Sequence, residues 1–325
     1  MKIHPMWKDY PWIQSELEAC ISLIEQNITI KNKDVQQKVV QLLSSGGKML
    51  RPAFSLMFSQ YKDETEPKKA QAIAAAIEVL HLATLVHDDV IDESDLRRGQ
   101  ETINSQYDNR VAVYTGDYLF TLCFRLLTDY VEDASALQLD KNGMESILVG
   151  ELNQMNMKYN PKMTLRNYLK QIQGKTAQLF ALSCYAGAYG KDDEKLAHSA
   201  YQIGNNIGMA FQIIDDVLDY TQDTIVAGKP MMSDFKNGIY TAPLLFAMQE
   251  NRKAFEPYIL KKDRITEEEI KDVYELVLLH KGEERAKELA DKYTKKALKQ
   301  IKRLPEHPIK NTLLNITEQM LSRDV

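Results

Sequence analysis

Apolar residues in this chain recur at helical rather than alternating spacing along nearly its whole length, which predicts an all-α protein. Residues 13–28 and 33–45 each carry one apolar stripe and predict two amphipathic helices, the second stopped by Gly46-Gly47. A third begins near Pro52, a residue suited to a first helical turn. Residues 68–91 are apolar or small around most of the helix circumference, the pattern of a helix surrounded by others, and turn acidic only at the end. Residues 200–220 repeat that design, with Gly204 and Gly208 one turn apart so that a neighbour can approach the backbone. From 261 to 303 Lys and Glu dominate, leaving Val273, Leu276, Val277, Leu289 and Ala297 as the apolar stripe of solvated surface helices.

Composition adds bounds. A chain of 325 residues that is 44% hydrophobic and 27% charged is globular, and with no repeat or Pro/Gly/Ser-rich linker it reads as one domain over 1–325. The net charge of -5, from interspersed acids and bases, carries no general footprint for nucleic acid, so any bound anion must be held by a local cluster. Cys20, Cys123 and Cys184 are too few and too scattered for a disulfide framework or a paired zinc site, which fits a reducing cytoplasm. The N-terminus has prolines and charges where a secretory signal has an apolar core, and no run is read as approaching the roughly 20 apolar residues that span a bilayer. The expectation is a soluble cytoplasmic protein, whose product is free to pass to a membrane.

The chemistry lies in two DDxxD motifs, Asp88-Asp89-x-x-Asp92 and Asp215-Asp216-x-x-Asp219, each closing one of the two apolar helices. First and last aspartates at i and i+4 share a helix face about 6 Å apart, an arrangement that is costly unless a cation fills it. Hard carboxylate donors select Mg²⁺, which completes its octahedron with phosphate oxygens, so the ligand is phosphorylated. One such motif is most often a solvated helix end; two, each on a core helix, argue for a shared cavity. Cations accompany them: Lys48 and Arg51 after the glycine turn at Gly47, Arg97-Arg98 after the first motif, then Lys175-Thr176 and Lys229. Arginine forks and lysine points suit a diphosphate, although each pair alone reads equally as surface charge. His81 and His87 are six residues apart, which does not place them side by side for one metal, and suits a hydrogen-bonding role.

The segments GGKMLRP, LVHDDVIDESDLRRG, YTGDYL, GKTAQLF, FQIIDDVLDY and GKPMMSDFKNGIYTAPLL occur in the order found in the trans-isoprenyl (polyprenyl) diphosphate synthases, and the chain resembles that family. Its wording is most similar to the catalytic component of two-component heptaprenyl diphosphate synthases. The resemblance implies a bundle of antiparallel helices around a central cavity. It implies that Asp88, Asp92 and Asp215, supported by Asp89, Asp216 and Asp219, bind about three Mg²⁺ that clamp an allylic diphosphate. Arg97, Lys175 and Lys229 would contact the same diphosphate. Gly47, Lys48, Arg51, His81 and Arg98 would hold isopentenyl diphosphate, and Thr176 and Gln212 would lie between the two. The reaction implied is ionisation of the allylic C–O bond, attack by the isopentenyl double bond and loss of a proton.

A tail growing from Asp88 back along its helix meets Thr84 and Ala83, about 6 Å below the metal site, and both are small. The floor then lies deeper, near Leu80 and Ile77, giving a product longer than twenty carbons, about thirty to thirty-five. Two positions depart from the family pattern: Met232 stands where glycine is common and Ile239 where lysine is common. The family also implies a partner, either a second copy or a small regulatory subunit. The alternative is a non-catalytic or partner-dependent subunit, against which stands the retention of every aspartate. A terpene cyclase or head-to-head synthase is disfavoured by the GGKMLRP segment and the aspartate-rich second motif.

Overall fold

The computed structural model describes residues 3–44, 47–62, 66–97, 99–132, 145, 148–149, 152, 157–189, 194–221 and 232–321. They are overwhelmingly helical, as the periodicity predicts, and divide into two compact units. The first unit comprises residues 1–140 and 182–200, the second 141–181 and 201–325.

The first unit holds α1 (Pro11–Asn27), α2 (Lys33–Ser44), α3 (Leu50–Ser59), α4 (Pro67–Ile91), a two-residue ladder of β1 (Leu96–Arg97) with β2 (Gln100–Glu101), α5 (Ile103–Gln106) and α6 (Asn109–Tyr130). It also takes the end of α8 (Gln178–Ala188) and the start of α9 (Glu194–Thr221). The helix predicted to be surrounded is α4, which packs most extensively against α6 and also against α1 and α3. Every residue from Ala72 to Ile77 is buried, so α4 has no solvent face along that stretch. By length and composition α4 could cross a membrane, which corrects the reading that no run approaches that length. The neighbours packed on it account for its apolarity, since burying each large aliphatic side chain contributes about 1.5–3 kcal/mol. Ahead of α1, a turn at Pro5–Trp7 buries Trp7 completely, and its indole N–H donates to the Lys48 carbonyl at 2.8 Å.

The second unit holds α7 (Leu165–Ile172), a π turn at Gln173–Ala177, the start of α8, most of α9, then α10 (Ser233–Lys236), α11 (Ala242–Ile259), α12 (Glu267–Leu279), α13 (Gly282–Lys302) and α14 (Ile309–Leu321). α11, α12 and α13 pack on one another, and α14 covers α13. Thr266 and Glu269 close a reciprocal cap on α12. Of the predicted stripe, Val273, Val277 and Ala297 are buried, while Leu276 and Leu289 are half-buried. Gly208 does what its position suggested: a Cβ there would meet the Ala177 Cα at 2.5 Å, so α9 and the π turn touch backbone to backbone.

Candidate functional site

In the first unit the aspartate motif straddles the end of α4. Asp88 and Asp89 lie in the last turn, whereas Asp92 is the cap, off the helix, its N–H bonded to the Asp88 carbonyl at 2.8 Å. Glu93 follows at φ 50 and Ser94 N–H returns to the Asp89 carbonyl at 2.9 Å, a Schellman closure. Carboxylates at this negative end of the helix dipole are disfavoured by about 0.3–1 kcal/mol each, and they repel one another; a cation offsets both terms. Asp88 is half-buried and Asp92 exposed.

Asp89 behaves differently. It is 4% exposed, and Arg97 forks it, with Nε at 2.8 and 3.1 Å from the two carboxylate oxygens and Nη2 at 2.7 Å from Oδ1. The β1–β2 turn delivers Arg97 there, using Gly99 at φ 75, and Asn104 adds an amide donor to the Asp89 carbonyl at 3.3 Å. Arg97 therefore serves Asp89 as well as any phosphate.

A pocket in the same unit is lined by Gly47, Glu78, His81 and Arg97 among Leu42, Leu43, Leu82 and Leu85. Arg51 donates to His81 Nε2 at 3.1 Å, which fixes that nitrogen as the acceptor because a guanidinium has no other role. Lys48 sits in the loop held by Trp7, and Met49, at φ 47, opens α3. The structure thus gathers Gly47, His81, Arg97 and Arg51. His87 is elsewhere: its ring stacks on Phe120, its Nδ1 bonds the Ala83 carbonyl at 3.1 Å, and its Nε2 is 3.3 Å from Asp117. Gly116 leaves room for that ring, since a Cβ would sit 2.4 Å from it. Of the residues proposed to govern length, Ile77, Leu80 and Ala83 are buried and Thr84 is half-buried, its hydroxyl donating to the His81 carbonyl at 2.8 Å. Arg98 and Lys229 lie outside the described residues.

In the second unit the motif is carried on α9 itself. Asp215 is exposed. Asp219 accepts from the Ser233 N–H at 3.2 Å, the Ser233 hydroxyl at 2.9 Å and the Asp234 N–H at 3.2 Å, while its carbonyl takes the Met232 N–H at 2.9 Å. Met232 is buried at φ 56, a left-handed conformation that explains why glycine suits this position. Ile239 N–H closes the same turn onto the Asp234 carbonyl at 2.8 Å. Asp216 is 4% exposed and accepts from the Tyr168 hydroxyl at 2.5 Å and from Gln212 Nε2 at 2.8 Å. Gln212 in turn accepts from the Thr176 hydroxyl at 2.6 Å. Burial pushes the Asp216 carboxyl well above the usual carboxylate range, and the Asp234 charge adds to this, while its two hydrogen bonds oppose it. Lys175 and Thr176 both lie in the π turn, Thr176 buried and Lys175 half-buried.

A family model described as polyprenyl synthetase matches residues 32–277. The chain belongs to the polyprenyl synthetase family. Component 2 of heptaprenyl diphosphate synthase from Bacillus subtilis is 32% identical over 97% of this chain and 90% of its own length. Geranylgeranyl pyrophosphate synthase from Lactobacillus brevis is 39% identical, with a TM-score of 0.93 over 98% of this chain and 99% of that one. A Caulobacter crescentus polyprenyl synthase, solved in complex with calcium and isoprenyl diphosphate, is 28% identical at a TM-score of 0.88 over 99% of both chains. Members of this family are prenyltransferases acting on prenyl diphosphates, and they use a divalent metal.

In each unit by itself, Asp88 and Asp92 in the first and Asp215 in the second offer hard carboxylate oxygens of the kind a divalent metal takes, while Asp219 is already turned to Ser233 and Asp234. Among the described residues, no group of three or more His, Cys, Asp or Glu is gathered to hold an ion by itself. Both middle aspartates are turned to protein donors, Asp89 to Arg97 and Asp216 to Tyr168 and Gln212. Sequence reasoning missed Tyr168 and the π turn. Tyr168 left only a weak signal, an aromatic on the buried face of a short helix. The π turn left none beyond the Gly174 next to Lys175.

Proposed function

We propose that this polyprenyl synthetase condenses isopentenyl diphosphate head to tail with an allylic diphosphate, farnesyl or geranyl, in the presence of Mg²⁺. Its product is an all-trans chain of about thirty to thirty-five carbons, destined for a quinone side chain. The observation carrying the reading is the pocket that collects Gly47, His81 and Arg97, with Arg51 bonded to His81. Arg97 and the Arg51–His81 pair supply the positive and hydrogen-bonding groups that an anionic head takes, with Glu78 and four leucines beside them.

When bound, divalent metal, about three ions, neutralises the departing diphosphate. Asp88, Asp92 and Asp215 would supply its donors. Lys175, Lys229 and Arg97 meet the remaining phosphoryl oxygens of the allylic substrate, while Lys48, Arg51 and Arg98 orient the isopentenyl diphosphate. Apolar helix walls exclude water from the allylic cation, and no protein nucleophile is needed. The likeness to a heptaprenyl synthase component supports a working assembly with a second subunit, a homodimer being the other arrangement, and the three scattered cysteines support a cytoplasmic location.

The test is incorporation of radiolabelled isopentenyl diphosphate by the purified chain, alone and with candidate partners, followed by product chromatography. Elongation beyond twenty carbons is expected, and no incorporation under any pairing rejects the reading. Thr84→Phe should shorten the product by at least one isoprene unit; an unchanged ladder would remove Thr84 from the chain-length pocket.

A further inference from the structure

We infer that Tyr168 is a positioning residue that, with the π turn, sets Lys175 and Asp215 in their working orientations; this rests on the prenyltransferase reading above. The starting point is register. In an uninterrupted α-helix, at about 100° per residue, the seventh residue after Tyr168 returns to within about 20° of its face, while the eighth falls about 80° away. Lys175 would then share the buried face of Tyr168, and Thr176 would not. The observed burial is the reverse: Tyr168, Ile172, Thr176 and Phe180 are buried at a steady spacing of four, and Lys175 is half-buried.

The cause is the π turn at Gln173–Ala177, whose Gln178 N–H reaches back to the Gln173 carbonyl and so inserts one residue into the helix. Thr176 thereby enters the core and Lys175 keeps access to solvent. Helix formers gain nothing from such a turn unless something holds it, and here a chain of side chains does. Thr176 donates to Gln212, Gln212 donates to Asp216, and the Tyr168 hydroxyl donates to the other Asp216 oxygen. The chain begins on α7, passes along α9 and ends inside the π turn, so it locks the register on both sides of the inserted residue. Asp216 has both oxygens engaged by protein, and its neighbour Asp215 is aimed by that fixation. Gly208 lets the π turn seat directly on α9.

The test is Tyr168→Phe in the full chain with whatever partner the wild type requires. We expect kcat to fall about 10–100-fold with the KM for isopentenyl diphosphate unchanged. Calorimetric titration with inorganic diphosphate and Mg²⁺ should show weaker binding by a comparable factor. Because Tyr168 acts only through Asp216, adding Tyr168→Phe to Asp216→Asn should cost nothing further. Wild-type kcat in Tyr168→Phe, or costs that multiply in the double variant, would overturn the inference. If Tyr168→Phe fails to fold, Thr176→Val, at the far end of the same chain and of equal shape, must show the same split or the inference fails. A wild type that elongates nothing sinks the functional reading instead, and the diphosphate titration then still reports on Tyr168.

Discussion

The two DDxxD motifs are the same five-letter phrase in two different electrostatic settings. In the first, the middle aspartate meets an arginine fork, charge against charge; in the second it meets a phenol and an amide, neutral donors in a buried pocket. The first motif ends beyond its helix, closed by a left-handed residue exposed to water, whereas the second stays on α9, and a buried left-handed residue follows on the return to α10. The lesson is that the middle aspartate fixes how each motif is mounted, with Asp219 adding a second mount in the second motif, and that Asp88, Asp92 and Asp215 are the carboxylates on which the proposed binding rests.

The largest effect that bears on this contrast is loss of an outer aspartate. Asp88→Ala and Asp215→Ala should each lower turnover by about 100-fold or more while circular dichroism stays that of the wild type. Loss of helical signal in either variant would mean that outer and middle aspartates do not divide the labour as described. Next comes the mounting. Arg97→Met leaves Asp89 buried beside no fork and should cost about 2–3 kcal/mol in urea unfolding, below the full cost of breaking a buried pair because Arg97 itself keeps some contact with water. Tyr168→Phe, removing one neutral donor, should cost about 1–2 kcal/mol. Equal losses would erase the distinction between charged and neutral mounts.

The smallest effects concern the left-handed residues. Glu93→Gly removes strain at an exposed C-terminal position and should raise stability by about 1 kcal/mol. Met232→Gly relieves similar strain but forfeits a buried side chain worth about 1.5–3 kcal/mol, so a net loss of about 1 kcal/mol is expected in the same urea assay. A gain in both would show that Met232 contributes little packing.

Much of this was legible in the residues. The all-round apolarity of 68–91 located α4 within a residue of its start, and the stripes at 13–28 and 33–45 located α1 and α2, because burial writes itself into periodicity. Gly208 announced a close approach, and the approach is there. What periodicity could not supply is the partner of a side chain. The family resemblance assigns Arg97 to a phosphate, while its fork on Asp89 depends on a two-residue ladder too short to leave a pattern. The π turn is hidden for a related reason. Inserting one residue in a helix changes no residue type, only which face each one shows.

The bond from Trp7 to the Lys48 carbonyl gives the leading edge of the chain a role out of proportion to its length. Trp7 lies outside the matched span of 32–277, yet it holds the backbone of Lys48, the lysine proposed above to orient a diphosphate. The reach of the site therefore extends to a turn 41 residues before the lysine it steadies. A change that removes the Trp7 indole leaves the Lys48 carbonyl without that donor, at a distance from the aspartates that no motif would flag.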